Sequence, residues 1–248
     1  MTEFIQLLQH QNYPPLISPN RADFVSFFLL SSYLGLFLGS SVLTMASIAQ
    51  RNLETIYRGL MERDSELCRT VIGEDDEVDE LEMRVDQEGM EVIMRFAPVA
   101  QDLRRTLGSM RIAANLERIS DQAVNIARRT RKMNKQPEVA QAKVMDPAFR
   151  LALSLVEDSI RAYSEGDVSL AREVIKRDAE LDDVHDKLIK EFTTAMEVDR
   201  DNLRTYLHLL FVVRFLERVG DHAENISEDV IFIELGTDVR HKSLDSLS

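Results

Sequence analysis

Tryptophan is absent from this 248-residue chain, and cysteine occurs once, at Cys68. A lone thiol excludes an intramolecular disulfide, and without a CxxC pair there is no thiolate zinc site or dithiol redox motif. That economy fits a reducing compartment. Cys68 lies among apolar helix positions with no activating neighbour and reads as a small core residue. Proline (6) and glycine (9) are scarce as well. A turn-rich β-fold needs more of both, whereas plentiful Leu, Glu, Arg and Ala favour helices. Positive charge is in deficit: the net charge is −13. The basic residues are interleaved with acids, which argues against a nucleic-acid groove, because such a groove concentrates Lys and Arg against phosphates. An acidic surface suits cations or basic protein patches.

Charge of either sign is missing from Phe24 to Gln50. About 20 apolar residues span a bilayer, and Ser31, Gly35 and Gly39 recur every four residues, a face that lets helices approach closely in lipid. Five serines between positions 26 and 41, and a helical pattern that runs on past Gly39, point the other way. Two readings of residues 1–40 stand. They form an apolar arm packed on the rest of the chain or on a partner, or residues 24–48 associate with a membrane. A cleaved signal peptide fits worse, since cleavage near Ala49 would remove part of a helix that the next segment needs.

The chain repeats itself. At an offset of 103, Arg58, Asp64, Leu67, Arg69, Val71, Ile72, Asp75, Glu77 and Asp79 return as Arg161, Asp167, Leu170, Arg172, Val174, Ile175, Asp178, Glu180 and Asp182. At an offset of 100, Leu103, Arg104, Leu107, Leu116, Glu117, Arg118, Asp121, Ala123, Asn125 and Ile126 return as Leu203, Arg204, Leu207, Leu216, Glu217, Arg218, Asp221, Ala223, Asn225 and Ile226. Each half reads as three helices. The first three are predicted at 41–63, 65–95 and 98–131, with Asp64 as an N-cap and Pro98 opening the third. Residues 131–146 are polar and read as a linker. Asp146-Pro147 then starts helices at 147–165, 168–197 and 200–234, and a polar, loose tail is predicted after Gly236. The domain boundaries that follow are 1–40, 41–134, 147–234 and 235–248.

Four carboxylate pairs sit at i, i+4: Asp75/Asp79, Glu117/Asp121, Asp178/Asp182 and Glu217/Asp221. That spacing puts both members on one helix face, where like charges repel unless a cation lies between them. In the third helix Leu103, Leu107, Met110 and Ala114 follow a 4-3-4 packing seam that continues onto Glu117 and Asp121. In the second half Leu203, Leu207 and Leu210 lead through Arg214 to Glu217 and Asp221. A separate stripe (Leu116, Ile119, Ala123, Ile126, and Leu216, Val219, Ala223, Ile226) can hold the core by itself. The eight acids are therefore candidate ligands for hard or borderline cations: Mg, Mn, Ca or Fe, with Zn also compatible. The alternative is a solvated acidic face paired with Arg104, Arg111, Arg118 and Arg218. Asn125 and Asn225 could orient a ligand. His222, matched by Gln122, reads as a partly exposed polar residue. A di-metal carboxylate oxidase would call for Glu-x-x-His pairs; Asp182-x-x-His185 is the nearest approach, and Glu82 replaces that histidine in the first half.

At these residues the chain resembles the PhoU family. The matching stretches are Leu116-Glu-Arg-Ile-Ser-Asp-Gln-Ala-Val-Asn-Ile126 and Leu216-Glu-Arg-Val-Gly-Asp-His-Ala-Glu-Asn-Ile226, along with Pro98-Val-Ala-Gln-Asp-Leu-Arg-Arg105. The first stretch departs from the family signature at Ser120 and Gln122, and the first 40 residues depart altogether. The resemblance implies an all-α fold of two tandem, pseudo-symmetric three-helix bundles. It implies a multinuclear metal cluster, iron foremost, on the E/D-x-x-x-D motifs. It implies a non-enzymatic, cytoplasmic negative regulator of phosphate uptake, often a homodimer. Such a regulator links the ATPase subunit of the phosphate ABC transporter to a sensor histidine kinase. The N-terminal segment adds peripheral or anchored attachment to the inner membrane as a variant. The competing functions are a membrane-tethered helical scaffold without specific metal and the oxidase.

Overall fold

The computed structural model describes residues 21–240, with side chains from residue 38 onward apart from 140 and 141. All regular structure among the described residues is helical. The helices are α1 (Arg21–Met61), α2 (Ser65–Gly73), α3 (Asp75–Phe96), α4 (Ala100–Met133), α5 (Asp146–Glu165), α6 (Val168–Val198) and α7 (Leu203–Leu235). Short 3-10 turns occupy Ala140–Met145 and Arg200–Asn202.

The two halves begin their second helices with the same device. The Asp64 carboxylate accepts from the backbone N–H of Glu66 at 2.7 Å and of Leu67 at 3.3 Å. Asp167 does the same for Ser169 at 2.8 Å and Leu170 at 3.0 Å. Each thereby satisfies donors that a helix start leaves without partners. Gly166, at φ 68°, ends α5 in the left-handed region that a side chain resists.

Several boundaries differ from the periodicity reading. The helix expected at 65–95 is broken at Glu74 into α2 and α3, whereas its counterpart α6 is continuous. Gly73 is the cause in sequence: a weak helix former stands where the second half has Lys176. Pro98 does not open α4; it lies in the link, and helix begins at Ala100. Ala97 has already turned the chain left-handed at φ 42°. Part of the predicted polar linker is ordered, because Val139 and Met145 are buried. The described start of the predicted loose tail, residues 237–240, instead packs back, carrying Val239 to 4 % exposure. Residues 1–20 and 241–248 lie outside the described residues. Helix α1 begins at Arg21, far upstream of the predicted start at 41. Among the described residues no helix is long and apolar enough to cross a membrane. The membrane reading of 24–48 rests mainly on side chains before residue 38, which lie outside that description.

The core stripes foreseen on α4 and α7 are buried at 0–1 % exposure throughout. Helix α4 packs on α1, α2 and α3, and α7 packs on α5 and α6. The most extensive helix pair is nonetheless α4 with α7. Because of it, one hydrophobic cluster runs from Leu38 to Val239 through both halves. At the crossing, Gly108 of α4 lies so close to Ile233 of α7 that an added Cβ would meet its Cγ1 at 2.4 Å.

Candidate functional site

The fold brings the predicted carboxylates together in two sets, one on each flank of the α4–α7 spine. In the first half α3 lies beside α4. Burial raises the proton affinity of Asp75, and Asp121 across the helix pair and Asp79 on its own helix raise it further. Glu117 is raised by burial and then by Asp121, with Asp79 and Glu82 adding to it. Arginines answer these charges. Arg128 stands 3.5 Å from Asp75, and Arg118 reaches Glu117 at 3.2 Å and Asp121 at 3.4 Å.

In the second half α6 lies beside α7. Asp178 is 7 % exposed, and its pKa is pushed up to about 7 by burial, then by Glu224, Asp182, Asp221 and Glu217. Asp221 is raised by burial, Glu217 and Asp182, against the fields of Arg218 and His185. Glu224 is raised by burial and then by Asp221 and Asp182. Glu228, raised to about 7, feels burial and then Glu224.

Glu82, Glu224 and Glu228 therefore join the eight predicted positions. The last two were legible, because the 4-3-4 seam through Leu203, Leu207, Leu210, Arg214, Glu217 and Asp221 continues by three and four onto Glu224 and Glu228.

The donor set fits a hard cation, being all carboxylate oxygen. It includes Asp178, a nearly buried carboxylate to which the strongest neighbouring charges are all negative. Neutralisation by an ion would remove both the burial and the repulsion penalty. The arms are not gathered round one point, however. Among the described residues no three His, Cys, Asp or Glu side chains are close enough to share an ion. Capture requires rotation of side chains on fixed helices. A bound cation would supply charge neutralisation between α3 and α4 or between α6 and α7.

Other residues singled out in the sequence have structural partners. His222 Nδ1 lies 3.0 Å from Asn115 Oδ1 across the α4–α7 contact, and burial lowers its pKa. Cys68 is buried, its thiol donating to the Asp64 carbonyl at 3.2 Å, and burial raises its pKa to about 11. Asn125 is half-buried and Asn225 exposed. A groove of about 670 Å³ runs beside Ser40, Thr44 and Ser47 of α1 towards Arg51, Arg105 and Tyr163. Its two arginines are engaged by Glu74 and Glu234.

Comparison with known proteins gives a consistent result. The family model for the PhoU domain matches residues 42–130 and again 147–230. A phosphate-specific transport system accessory protein PhoU homolog from Xylella fastidiosa is 35 % identical over 196 residues, covering 79 % of this chain and 81 % of that protein. The homolog of the same description from Pseudomonas aeruginosa is 31 % identical, covering 83 % and 85 %. The crystal structure of PhoU from Pseudomonas aeruginosa superposes with a TM-score of 0.81 at 28 % identity, covering 83 % of this chain and 99 % of that one. A phosphate transport system regulatory protein PhoU from Streptococcus pneumoniae shares the fold, with a TM-score of 0.75 at 22 % identity over 86 % of this chain and 99 % of that one.

Proposed function

The chain belongs to the PhoU family, and from that premise we propose that it is a non-enzymatic accessory regulator of phosphate transport whose acidic helix faces take up metal cations. The observation that carries the cation part is the duplicated gathering of carboxylates from neighbouring helices, Asp75, Asp79, Glu117 and Asp121 on one flank and Asp178, Asp182, Glu217 and Asp221 on the other. Relatives matched over about four-fifths of their length are phosphate-specific transport system accessory proteins, which supports the transport part. On this reading the protein works on the cytoplasmic side and restrains the phosphate-starvation response. It does so by contacting the ATPase subunit of the phosphate ABC transporter and a sensor histidine kinase, as a homodimer. Ions on the two faces are a multinuclear cluster, iron first among the candidates and Zn, Mn or Mg next.

Long exposed helix faces suit such contacts. On α7 Leu203, Leu207 and Phe211 are 41–44 % exposed in a row one turn apart, and Arg129 stacks on the Phe211 ring at 3.9 Å.

Deletion of the gene tests the regulatory role: a phosphate-starvation reporter should become active in high phosphate, and unchanged repression would remove it. Elemental analysis of the purified protein beside an Asp121→Ala/Asp221→Ala variant tests the metal role. Equal metal content in both would end the site assignment.

A second reading, a membrane-tethered scaffold, is favoured by one feature: α1 extends helically back to Arg21 through the charge-free segment. Fractionation of the full chain against a truncation starting near Ser40 separates the two. Identical behaviour in soluble fractions would discard the tether.

A further inference from the structure

Helix α3 completes its core contacts on one face. Val78, Leu81, Val85, Gly89, Val92 and Phe96 are buried there, and Met110 of α4 lies so close over Gly89 that an added Cβ would meet its sulfur at 2.5 Å. The opposite face is apolar too. Met83, Met90 and Met94 are 52–61 % exposed, and with Gln87 they follow a 4-3-4 spacing, the rhythm by which one helix packs on another. A single exposed apolar side chain needs no explanation, but a row of them marks a contact surface. Thioether side chains are flexible and polarisable, and adapt to the partner they meet.

The repeat supplies an internal control. Aligned at an offset of 103, the buried positions Val78, Val85 and Gly89 of α3 become Leu181, Leu188 and Phe192 of α6, buried likewise. Met83, Gln87, Met90 and Met94 become Asp186, Lys190, Thr193 and Glu197, all exposed and all polar. The fold is built equally well with a polar seam, so the methionines answer a need outside it.

We propose that the exposed α3 seam is a docking surface for a basic amphipathic helix of a partner protein, with Met83, Met90 and Met94 as its apolar anchors. The occupant follows from charge. Exposed Asp76 and Glu80 continue the seam toward the start of α3, and half-buried Asp86 flanks it. The arginines of this helix are answered locally: Arg95 pairs with Glu91 at 3.1 Å, and the field of Arg84 falls on Glu88. An apolar row with an acidic rim matches leucine-type anchors at helical spacing with Lys or Arg beside them. A second copy laying the same seam against this one would set acid against acid. An anionic membrane surface would be repelled as well. Residues 1–20 of the chain contain no Lys or Arg and lack the complementary charge.

The test titrates the full chain with a synthetic amphipathic peptide of about 18 residues, leucine at every third and fourth position and lysine between them, followed by fluorescence anisotropy. The methyl signals of Met83, Met90 and Met94 in methionine-labelled protein should shift on binding, while those of buried Met45 and Met145 stay in place. Met83→Asp/Met90→Thr/Met94→Glu, which installs the second half's own residues, should weaken binding about tenfold or more, although it adds negative charge. Its melting temperature should be unchanged, since the replaced side chains face solvent. Asp76→Asn/Glu80→Gln/Asp86→Asn should weaken binding about threefold or more and flatten its dependence on salt. Leu203→Thr/Leu207→Thr, on the exposed row of α7, should leave it within about twofold. Equal binding by the methionine variant, or equal binding of a peptide with glutamate in place of lysine, would overturn the proposal. So would Met83, Met90 and Met94 signals of the free protein that move on dilution or in Leu7→Ser/Leu8→Ser, which would put a second copy or residues 1–20 on the seam.

Discussion

Asp229 keeps its proton to about pH 6, because burial outweighs the opposing field and hydrogen bond of Arg111. Glu228 beside it is held to about pH 7 by burial and by Glu224. An unfolded chain releases both protons near pH 4, so folding takes up protons between those limits. The stability these groups contribute is complete below about pH 4 and declines as pH rises through 6 and 7. The metal-free protein should therefore melt at a lower temperature at pH 7.5 than at pH 5. Asp229→Asn should flatten that slope; calorimetry in chelator would show it, and a rising profile would contradict it. Asp146 and Asp199, held low by hydrogen bonds from Arg150 and Asn202, act at the acid end and leave this window alone. The identity of these acids is written in the sequence, but not which of them lose water. Asp229 and Glu228 are neighbours in the chain, yet only Asp229 has an arginine partner, and that comes from α4.

Between residues and domains, helix ends carry much of the organisation. Asp167 caps α6 through two backbone donors. Asp167→Ala should cost about 1 kcal/mol, read by chemical denaturation, and Asp167→Asn should restore most of it. Gly73 stands at the break between α2 and α3 with nothing within 4 Å of an added Cβ. Gly73→Ala should stabilise by up to about 1 kcal/mol by lowering the entropy of the unfolded chain and favouring helix. A loss of stability would mean that the break itself is required. Caps at Asp64 and Asp167 were legible because a short acidic side chain before an amphipathic run has few other uses. The break was not, since a single glycine inside a helical pattern is usually tolerated. The start of α4 was misplaced by two residues for a related reason: Pro98 suits a first helical turn, but Ala97 turns left-handed before it.

At the scale of the whole molecule, the α4–α7 contact joins the two halves in one hydrophobic cluster, so they should unfold together. Leu216, 1 % exposed in the shared hydrophobic cluster, should cost about 2–5 kcal/mol when cut to alanine. Gly108→Ala should cost about 1–3 kcal/mol by pushing Ile233 aside. Hydrogen exchange on either variant should lose protection in both halves together; loss confined to one half would show separable domains. The contact keeps the repeat's pseudo-symmetry but exchanges its chemistry. Arg111 meets Asp229 at 3.4 Å, and at the related position Phe211 meets Arg129 as a ring under a guanidinium. Helical class, the internal repeat, the capping aspartates and the eight acidic positions were fixed locally, by composition and by periods of 3.6 and 3.5 residues that any helix must obey. Tertiary structure decided which helix faces meet. It set α3 against α4 and α6 against α7, buried Asp178 against α7 while Arg128 paired with a half-buried Asp75, and joined two repeats in one core. Spacing along a helix constrains the direction of a side chain, but charge, burial and partner depend on the neighbouring helix, whose approach is set by side-chain volumes a hundred residues away.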